Sequence, residues 1–457
     1  MSLSLAEIDA PADDVRAAAP SAAAPLSLRK NVSWTFLGNV LLAVANFVIL
    51  QLLVKLGSPE LVGQFVLGMS IATPLLLLTD LSLRTVQVTD ARRETPFGDY
   101  LGLRLLTTAV AVFALLGVVL AGGYAGSVAA VLLAIGGAKC LESISDIAHG
   151  AMQQHERMDW VSRSLILRGI LSVAAVGATF VATGNLLWAM AALLLTRIGV
   201  LWGYDLPAAA HCLGASRPAG PWAALRPHFD RNVMARLFWL SWPLGLAVTL
   251  LSLNVFIPRY FVERFHGEAA LGIFGAFAYV VIVGQMVVAA LGAAASPRLA
   301  RYYEAGDLRE FFRLIGWMAG LCAAIGLGLL GVSLTAGEWT VTTIFGPEYA
   351  AHLTTFTWLL IAAGAGYVGA ILGYATTATR RFHSLTIPYL LSALLTAALS
   401  WALVPAYGIL GAAWVTLGFS LSNVTIGIVL LGQAAREKRR ERAQGSGVEA
   451  RGAWSEN

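Results

Sequence analysis

The chain has 457 residues, of which 58% are hydrophobic and only 12% charged, and its mean hydropathy is +0.72. Soluble domains carry about 25% charged residues, so this composition excludes an ordinary soluble protein and indicates a polytopic membrane protein. The net charge of +5 lies mostly in the connections between apolar runs, so we expect no nucleic-acid partner. Cys140, Cys212 and Cys322 are far apart and predict neither a disulfide framework nor a metal cluster.

Residues 1–28 are rich in Ala, Pro and Asp and contain no apolar core. A secretory signal needs such a core, so we expect a disordered cytoplasmic tail. Apolar runs of about 20 residues follow, the length that crosses a bilayer as a helix. They lie near 31–56, 62–83, 103–121, 128–150, 164–183, 186–206, 233–257, 270–295, 312–334, 352–377, 385–404 and 408–432. The sequence therefore predicts an all-α fold with 12 transmembrane helices.

Positive charges predict how these helices are oriented, because cytoplasmic connections are rich in Lys and Arg. Every second connection is basic, beginning with Arg29 and Lys30 before the first run. We therefore expect both termini to be cytoplasmic. Only two basic residues, Lys139 and Arg197, cannot be assigned to a connection, because each lies near the middle of its run.

The two halves of the chain resemble each other. Trp34 and Asn46 match Trp242 and Asn254 at an offset of 208 positions, and the segments LVGQF and ALGIF match at 209. Later matches, such as Gly184 with Gly408, have an offset of 224. Since six is an even number, both six-helix units begin on the same side, which is the parallel repeat known among transporters.

This repeat predicts the domain organisation. We expect an N-terminal lobe over 29–206, a cytoplasmic linker over 207–231 and a C-terminal lobe over 232–432, followed by a basic cytoplasmic tail over 433–457. Two lobes with a cleft between them are typical of transport by alternating access.

The candidate site begins with the segment AKCLESISDIAHGAMQQ, residues 138–154. Lys139, Glu142, Asp146, His149 and Gln153 share one face of a helix, because they follow one another at steps of three and four. Ionisable groups at membrane depth are expensive unless paired or hydrated, so they usually face a cavity. The structural alternative is mutual neutralisation of Lys139 with Glu142, and of Asp80 with Arg84, at helical spacing.

Three sets of residues follow from this reasoning. The predicted anion-binding set is Lys139, Arg197, Arg84, Arg104 and Arg168. The predicted neutral polar set, suited to sugar faces, is Asn39, Asn46, Asn254, Tyr367 and Tyr374. The carboxylates available for coupling to H⁺ or Na⁺ are Glu142, Asp146 and Asp80. The chain has no nucleotide-binding loop and no catalytic or metal-ligand spacing, so we expect no enzyme activity, cofactor or metal.

Three segments resemble bacterial polysaccharide-export proteins of the multidrug/oligosaccharidyl-lipid/polysaccharide (MOP) exporter superfamily. They are LRKNVSWTFLGNVLLAVANFVILQLLVKLGSPELVGQFVLGMSIATPLLLLTDLSLRTVQVTD, QQHERMDWVSRSLILRGILS and YGILGAAWVTLG. The resemblance covers about 29–432 and implies two six-helix lobes forming a V around a central cavity. It also implies flipping of undecaprenyl-pyrophosphate-linked oligosaccharide across the bacterial inner membrane, for O-antigen (lipopolysaccharide), capsule or exopolysaccharide. Lys139 and Arg197 could then hold the pyrophosphate, with Arg84, Arg104 and Arg168 guiding it in.

Two alternatives remain at this point. A cation-coupled multidrug or small-lipid exporter would use the same fold, although the first predicted helix carries only asparagines where such exporters often have a carboxylate. A membrane-embedded glycosyltransferase or polymerase is less favoured, because the outer connections are short. The expected partners of a flippase are its lipid-linked substrate, membrane lipids and polysaccharide polymerase or export proteins, with the chain itself a monomer.

Overall fold

A computed structural model of the chain describes residues 26–90, 94–214, 221–379 and 386–453. The predicted N-terminal tail, apart from residues 26–28, lies outside these ranges. The helices are α1 (Leu28–Leu56), α2 (Pro59–Asp80), α3 (Leu83–Thr89), α4 (Phe97–Ala121), α5 (Gly126–Gln154), α6 (Met158–Thr183), α7 (Leu186–Val200), α8 (Leu206–Gly214), α9 (Arg231–Glu304), α10 (Leu308–Ile344), α11 (Leu353–Ala378) and α12 (Thr386–Ala453). A π-helical turn, Leu201–Asp205, joins α7 to α8, and 3₁₀ turns lie at Pro221–Leu225 and Pro347–His352.

The prediction of an all-α membrane fold is confirmed. Within the described ranges, ten helical segments are long and apolar enough to cross a membrane. Two of them are much longer than one crossing: Arg231–Ser296 has 66 residues and Ile387–Arg439 has 53. Each contains a glycine with a positive φ: Gly267 (φ 79°) lies between two predicted spans, and Gly408 (φ 60°) is the first residue of the last predicted span. The count of twelve crossings and the side of the termini stay predictions.

The boundaries of the predicted linker differ from the helices observed. Residues 206–214 form α8, so the helical segment that begins at Leu186 continues eight residues beyond the predicted end of the N-terminal lobe. At the other end, Asp230 caps α9 by accepting hydrogen bonds from the amides of Asn232 and Val233, as N-cap aspartates do. Helix α12 likewise continues through the predicted basic tail to Ala453.

The two halves meet through a reciprocal glycine contact on the predicted outer side. A Cβ added to Gly63 in α2 would overlap the carbonyl oxygen of Glu268 in α9, and one added to Gly272 would overlap that of Pro59. The offset of 209 positions that relates Gly63 to Gly272 also relates Pro59 to Glu268. The two contacts therefore exchange under the internal repeat, as expected for two units around a common axis.

Polar contacts reinforce this junction. The Gln64 amide donates a hydrogen bond to the Glu268 carboxylate at 2.8 Å, and the Tyr124 hydroxyl donates one to Glu263 at 3.2 Å. Burial, together with the nearby Glu263 charge, raises the pKa of Tyr124 to about 12, so this phenol is a neutral donor at physiological pH. The outer ends of the two halves are thus closed against each other.

Toward the predicted cytoplasmic side the halves are also in contact, because a Cβ added to Gly245 in α9 would lie 2.7 Å from the Cα of Leu81. The first turns of α9 pack on the N-terminal half, where Leu237 contacts a cluster that includes Leu81 and Tyr100. By contrast, the described apolar cluster around Met318 and Tyr367 is formed from the C-terminal half alone. A polar cavity lies within the N-terminal half.

Candidate functional site

A cavity of about 400 Å³ lies within the N-terminal half, between α1, α2, α5 and α6. The stripe predicted on the fourth span faces it: Lys139, Glu142, Asp146, His149 and Gln153 all line its wall. Other predicted site residues in the wall are Asn39, Asp80, Arg84 and Arg168. The remaining two predicted cations, Arg104 and Arg197, are buried behind it, with 0% and 5% of their surface exposed.

The deepest set of ionic contacts is built on Glu142. Its Oε2 lies 2.8 Å from Lys139 Nζ, one turn earlier on α5, and its Oε1 lies 2.8 Å from Arg197 Nε on α7. Arg197 Nη1 also donates to Ser172 Oγ on α6 at 2.9 Å. One carboxylate therefore bridges Lys139 and Arg197, the two cations that could not be assigned to a connection between helices.

Asp80 and Arg84 do not pair, which corrects the sequence-based alternative. Asp80 instead contacts Arg104 on α4, whereas Arg84 Nη1 lies 2.9 Å from Asp146 Oδ1. The reason is a break after α2: Leu81 and Ser82 have φ of 53° and 51°, a left-handed conformation that non-glycine residues rarely adopt. The helical spacing that an i,i+4 pair requires is lost at this break.

Sequence reasoning missed Asp205, which lies at the end of the π-helical turn and is fully buried. Its carboxylate accepts hydrogen bonds from Ser164 Oγ (2.5 Å) and Arg168 Nη2 (3.2 Å). His149 Nε2 lies 3.3 Å from the same carboxylate. Short π-helical segments often occur at functional sites. The signal was present in the sequence, since the apolar character resumes after Asp205 in LPAAA, so that this acid interrupts a hydrophobic run.

The site as a whole carries a small excess of positive charge. Its four carboxylates all have basic partners within 4 Å. The cations are Arg84, Arg104, Lys139, Arg168 and Arg197, and the carboxylates are Asp80, Glu142, Asp146 and Asp205. With His149 neutral, the excess is one positive charge. Such a site can accept an anion, but all five of its cations already have a carboxylate within 4 Å.

The predicted neutral polar residues are mostly elsewhere. Asn254 is 1% exposed and accepts hydrogen bonds from Ser392 and Thr396, between helices of the C-terminal half. Tyr367 is fully buried and donates to the carbonyl of Val281. Tyr374 packs on Gly292, and Asn46 is half-buried outside the cavity wall. Their role toward a sugar stays a prediction.

Arg259 is a further buried cation, and it belongs to the C-terminal half. It lies inside α9, is 7% exposed, and stacks on Phe256 with 4.8 Å between the guanidinium carbon and the ring centre. Among the described residues it has no carboxylate within 4 Å. The predicted site cations all lie in the N-terminal half, and Arg259 shows that the C-terminal half also buries a cation.

The fold is that of transporters of the MOP superfamily, so the chain is a multi-pass membrane protein. It is similar to a multidrug-resistance MATE-family transporter of this superfamily solved in an inward-facing conformation, with a TM-score of 0.61, 12% identity, and coverage of 92% of this chain and 96% of that one. It is also similar to a MOP superfamily transporter from Pyrococcus furiosus, with a TM-score of 0.60, 12% identity, and coverage of 90% and 95%. At these identities the likeness establishes the fold alone.

The sequence comparisons say more than the fold does, because they identify a family. Residues 28–303 match the model of the family described as polysaccharide biosynthesis protein, and the chain belongs to that family. It is also 26% identical over 397 residues to the capsular polysaccharide biosynthesis protein CapF of Staphylococcus aureus, covering 84% of this chain and 94% of CapF. The resemblance found in the sequence is thereby confirmed.

Proposed function

We propose that the chain is a flippase that moves undecaprenyl-pyrophosphate-linked oligosaccharide across the bacterial inner membrane by alternating access. The polysaccharide biosynthesis family and the likeness to MOP superfamily transporters support this proposal. The glycan would enter capsule, O-antigen or exopolysaccharide synthesis once it reaches the outer leaflet.

The observation that carries this proposal is the cationic cavity at membrane depth. Lys139, Arg84 and Arg168 line a space of about 400 Å³, and Arg104 and Arg197 stand directly behind its carboxylates. Arginine can grip phosphate oxygens through two parallel hydrogen bonds, while lysine acts as a compact point charge. With the predicted orientation, a junction closed on the outer side and a cavity nearer the cytoplasm would fit a carrier that loads from the cytoplasm.

The charge balance disfavours the alternative of a cationic-drug exporter. Such a substrate needs a carboxylate that is free to pair with it. The four carboxylates of this site are each paired with a basic side chain, which leaves an excess of positive charge. A cation entering this cavity would therefore meet net repulsion.

Complementation of a strain that lacks this gene tests the proposal. We expect the wild-type chain to restore surface polysaccharide and to remove the lipid-linked oligosaccharide that accumulates without it. Lys139→Ala should fail at normal membrane levels, whereas Lys139→Arg should retain partial activity because the charge is kept. Arg309→Ala is the matched control, since Arg309 is an exposed cation far from the cavity.

Two results would contradict the proposal. Full restoration of surface polysaccharide by Lys139→Ala would remove the anion site. A deletion strain with normal surface polysaccharide but raised sensitivity to cationic drugs would favour the exporter instead.

A further inference from the structure

Glu142 differs from the other carboxylates of the site in bridging two cations from two helices at equally short distances. Lys139 Nζ and Arg197 Nε each lie 2.8 Å from one of its oxygens. Among the described residues, neither cation has another carboxylate within 4 Å. The two oxygens of one anionic group thus lie against both cations, although the Arg197 Nε–H does not donate a hydrogen bond to Glu142. A phosphate group could take the same place and offer its oxygens to both cations.

Glu142 also separates Arg197 from the cavity. Glu142 and Lys139 line the wall, but Arg197 does not, and only 5% of its surface is exposed. Arg197 is held from its far side by Ser172, at 2.9 Å. An anion entering the cavity meets Lys139 at the wall, and it would come against Arg197 if it took the place of the Glu142 carboxylate.

We propose that Glu142 occupies the position of the substrate's phosphate in the empty cavity, and that the arriving phosphate displaces it while Glu142 takes up one proton. This inference rests on the proposed function, since it assumes a phosphate-bearing substrate. It assigns Glu142 the role of an exchangeable internal counter-ion. The proton comes from the cytoplasmic solution, forms an O–H bond on the displaced carboxylate, and leaves again when the phosphate departs.

The surrounding charges explain why displacement requires a proton. The charged groups that face Glu142 are Lys139 on its own helix, Arg197 on α7 and Arg168 on α6. Arg168 already has Asp205 as its partner, and Asp146, one turn further along α5, is paired with Arg84. Once the phosphate holds Lys139 and Arg197, an ionised Glu142 would be left unpaired at membrane depth. An unpaired charge is unfavourable at membrane depth, and protonation removes it.

Proton uptake determines whether the affinity for the anion rises or falls with pH. Because a proton binds together with the anion, raising the pH weakens anion binding, by up to about tenfold per pH unit for one linked proton. Replacing Glu142 by Gln removes both the competitor and the proton site. That change should tighten binding at neutral pH and abolish its pH dependence.

Calorimetry on the purified full chain tests this inference. The probe is symmetric dimethyl pyrophosphate, a diester with no group that titrates near neutral pH. Titrations in buffers with different ionisation enthalpies count the protons taken up on binding. For the wild-type protein we expect about one proton per anion. For Glu142→Gln we expect no proton uptake and binding about tenfold tighter, whereas Glu338→Gln, a change at an exposed carboxylate, should behave as wild type.

The outcomes separate this inference from the proposed function. If the wild-type protein binds the probe without taking up a proton, or if Glu142→Gln binds with unchanged affinity and proton uptake, the counter-ion role is wrong while the anion site stands. If neither protein binds the probe, the proposed function and this inference fall together. The proton count on the wild-type protein decides the matter even if Glu142→Gln does not fold.

Discussion

Helices α5 and α11 occupy matching places in the two halves, yet they carry opposite kinds of side chain. At the offset of 224 positions that relates Gly184 to Gly408, the charged stripe of α5 aligns with small residues in α11. The residues that match Lys139, Glu142, Asp146 and His149 are Ala363, Gly366, Ala370 and Gly373. The same helical face therefore carries charged side chains in the first half and only alanine and glycine in the second.

The small residues of α11 allow close packing instead of a cavity. A Cβ added to Gly326 in α10 would lie 2.5 Å from the Cα of Gly364, so these two backbones are in contact. Small residues favour this kind of approach between membrane helices. The comparison teaches that one scaffold, used twice, holds a polar cavity where long charged side chains pair, whereas the matching places in α11 carry small residues, of which Gly373 meets nothing within 4 Å. Arg259 is the exception in the second half.

Replacement of Arg104 by Ala should have the largest effect on stability. Arg104 is fully buried, and its loss leaves Asp80 without its counter-ion and beside Asp146. Removing one partner of a buried pair costs about 3–5 kcal/mol, and we expect the lower end because the Asp80 side chain is 23% exposed and can be rehydrated. Thermal and denaturant unfolding in detergent measure the loss. Arg309→Ala should change stability little. An equally small loss for Arg104→Ala would mean that the buried ion pairs do not stabilise the N-terminal half.

The reciprocal glycine contact tests how far the two halves remain equivalent. Leucine at Gly63 or Gly272 would drive a side chain into the backbone of the opposite helix, and overpacking of this kind costs about 1–3 kcal/mol. We expect either substitution to separate the outer ends. The readout is a cysteine at Thr73, in the cavity wall, which should react faster with an impermeant maleimide added to intact cells.

The matched control for this experiment is Gly117→Leu, because a Cβ on Gly117 meets nothing within 4 Å. Equal increases in labelling for the two variants would support the symmetry of the contact. An increase for Gly63→Leu alone would show that the equivalence of the two halves is limited to sequence.

Much of this site could be predicted from the sequence, and the rest depended on details of the backbone. Helical periodicity was enough to place Lys139 and Glu142 on one face, because that periodicity is a property of the helix itself. The partners of Asp80 and Arg84 could not be predicted, because two left-handed residues interrupt the helix between them. Asp205 was missed because a π-helical turn, which hydrophobic patterns do not reveal, carries it into the site.

The smallest effect is expected for Asn254→Ala, which tests a neutral polar contact of the C-terminal half. Asn254 Oδ1 accepts from Thr396 at 2.9 Å and from Ser392 at 3.2 Å, and the Ser392 hydroxyl keeps a contact of 2.8 Å with that of Ser422 when the amide is removed. Hydrogen bonds between membrane helices average about 0.6 kcal/mol, so we expect a loss of that size. Anion binding should be unchanged, because Asn254 does not line the cavity. A fall in transport larger than this loss of stability would instead indicate that Asn254 contacts substrate, as the sequence predicts, and that the second half contributes to the binding site in another conformation.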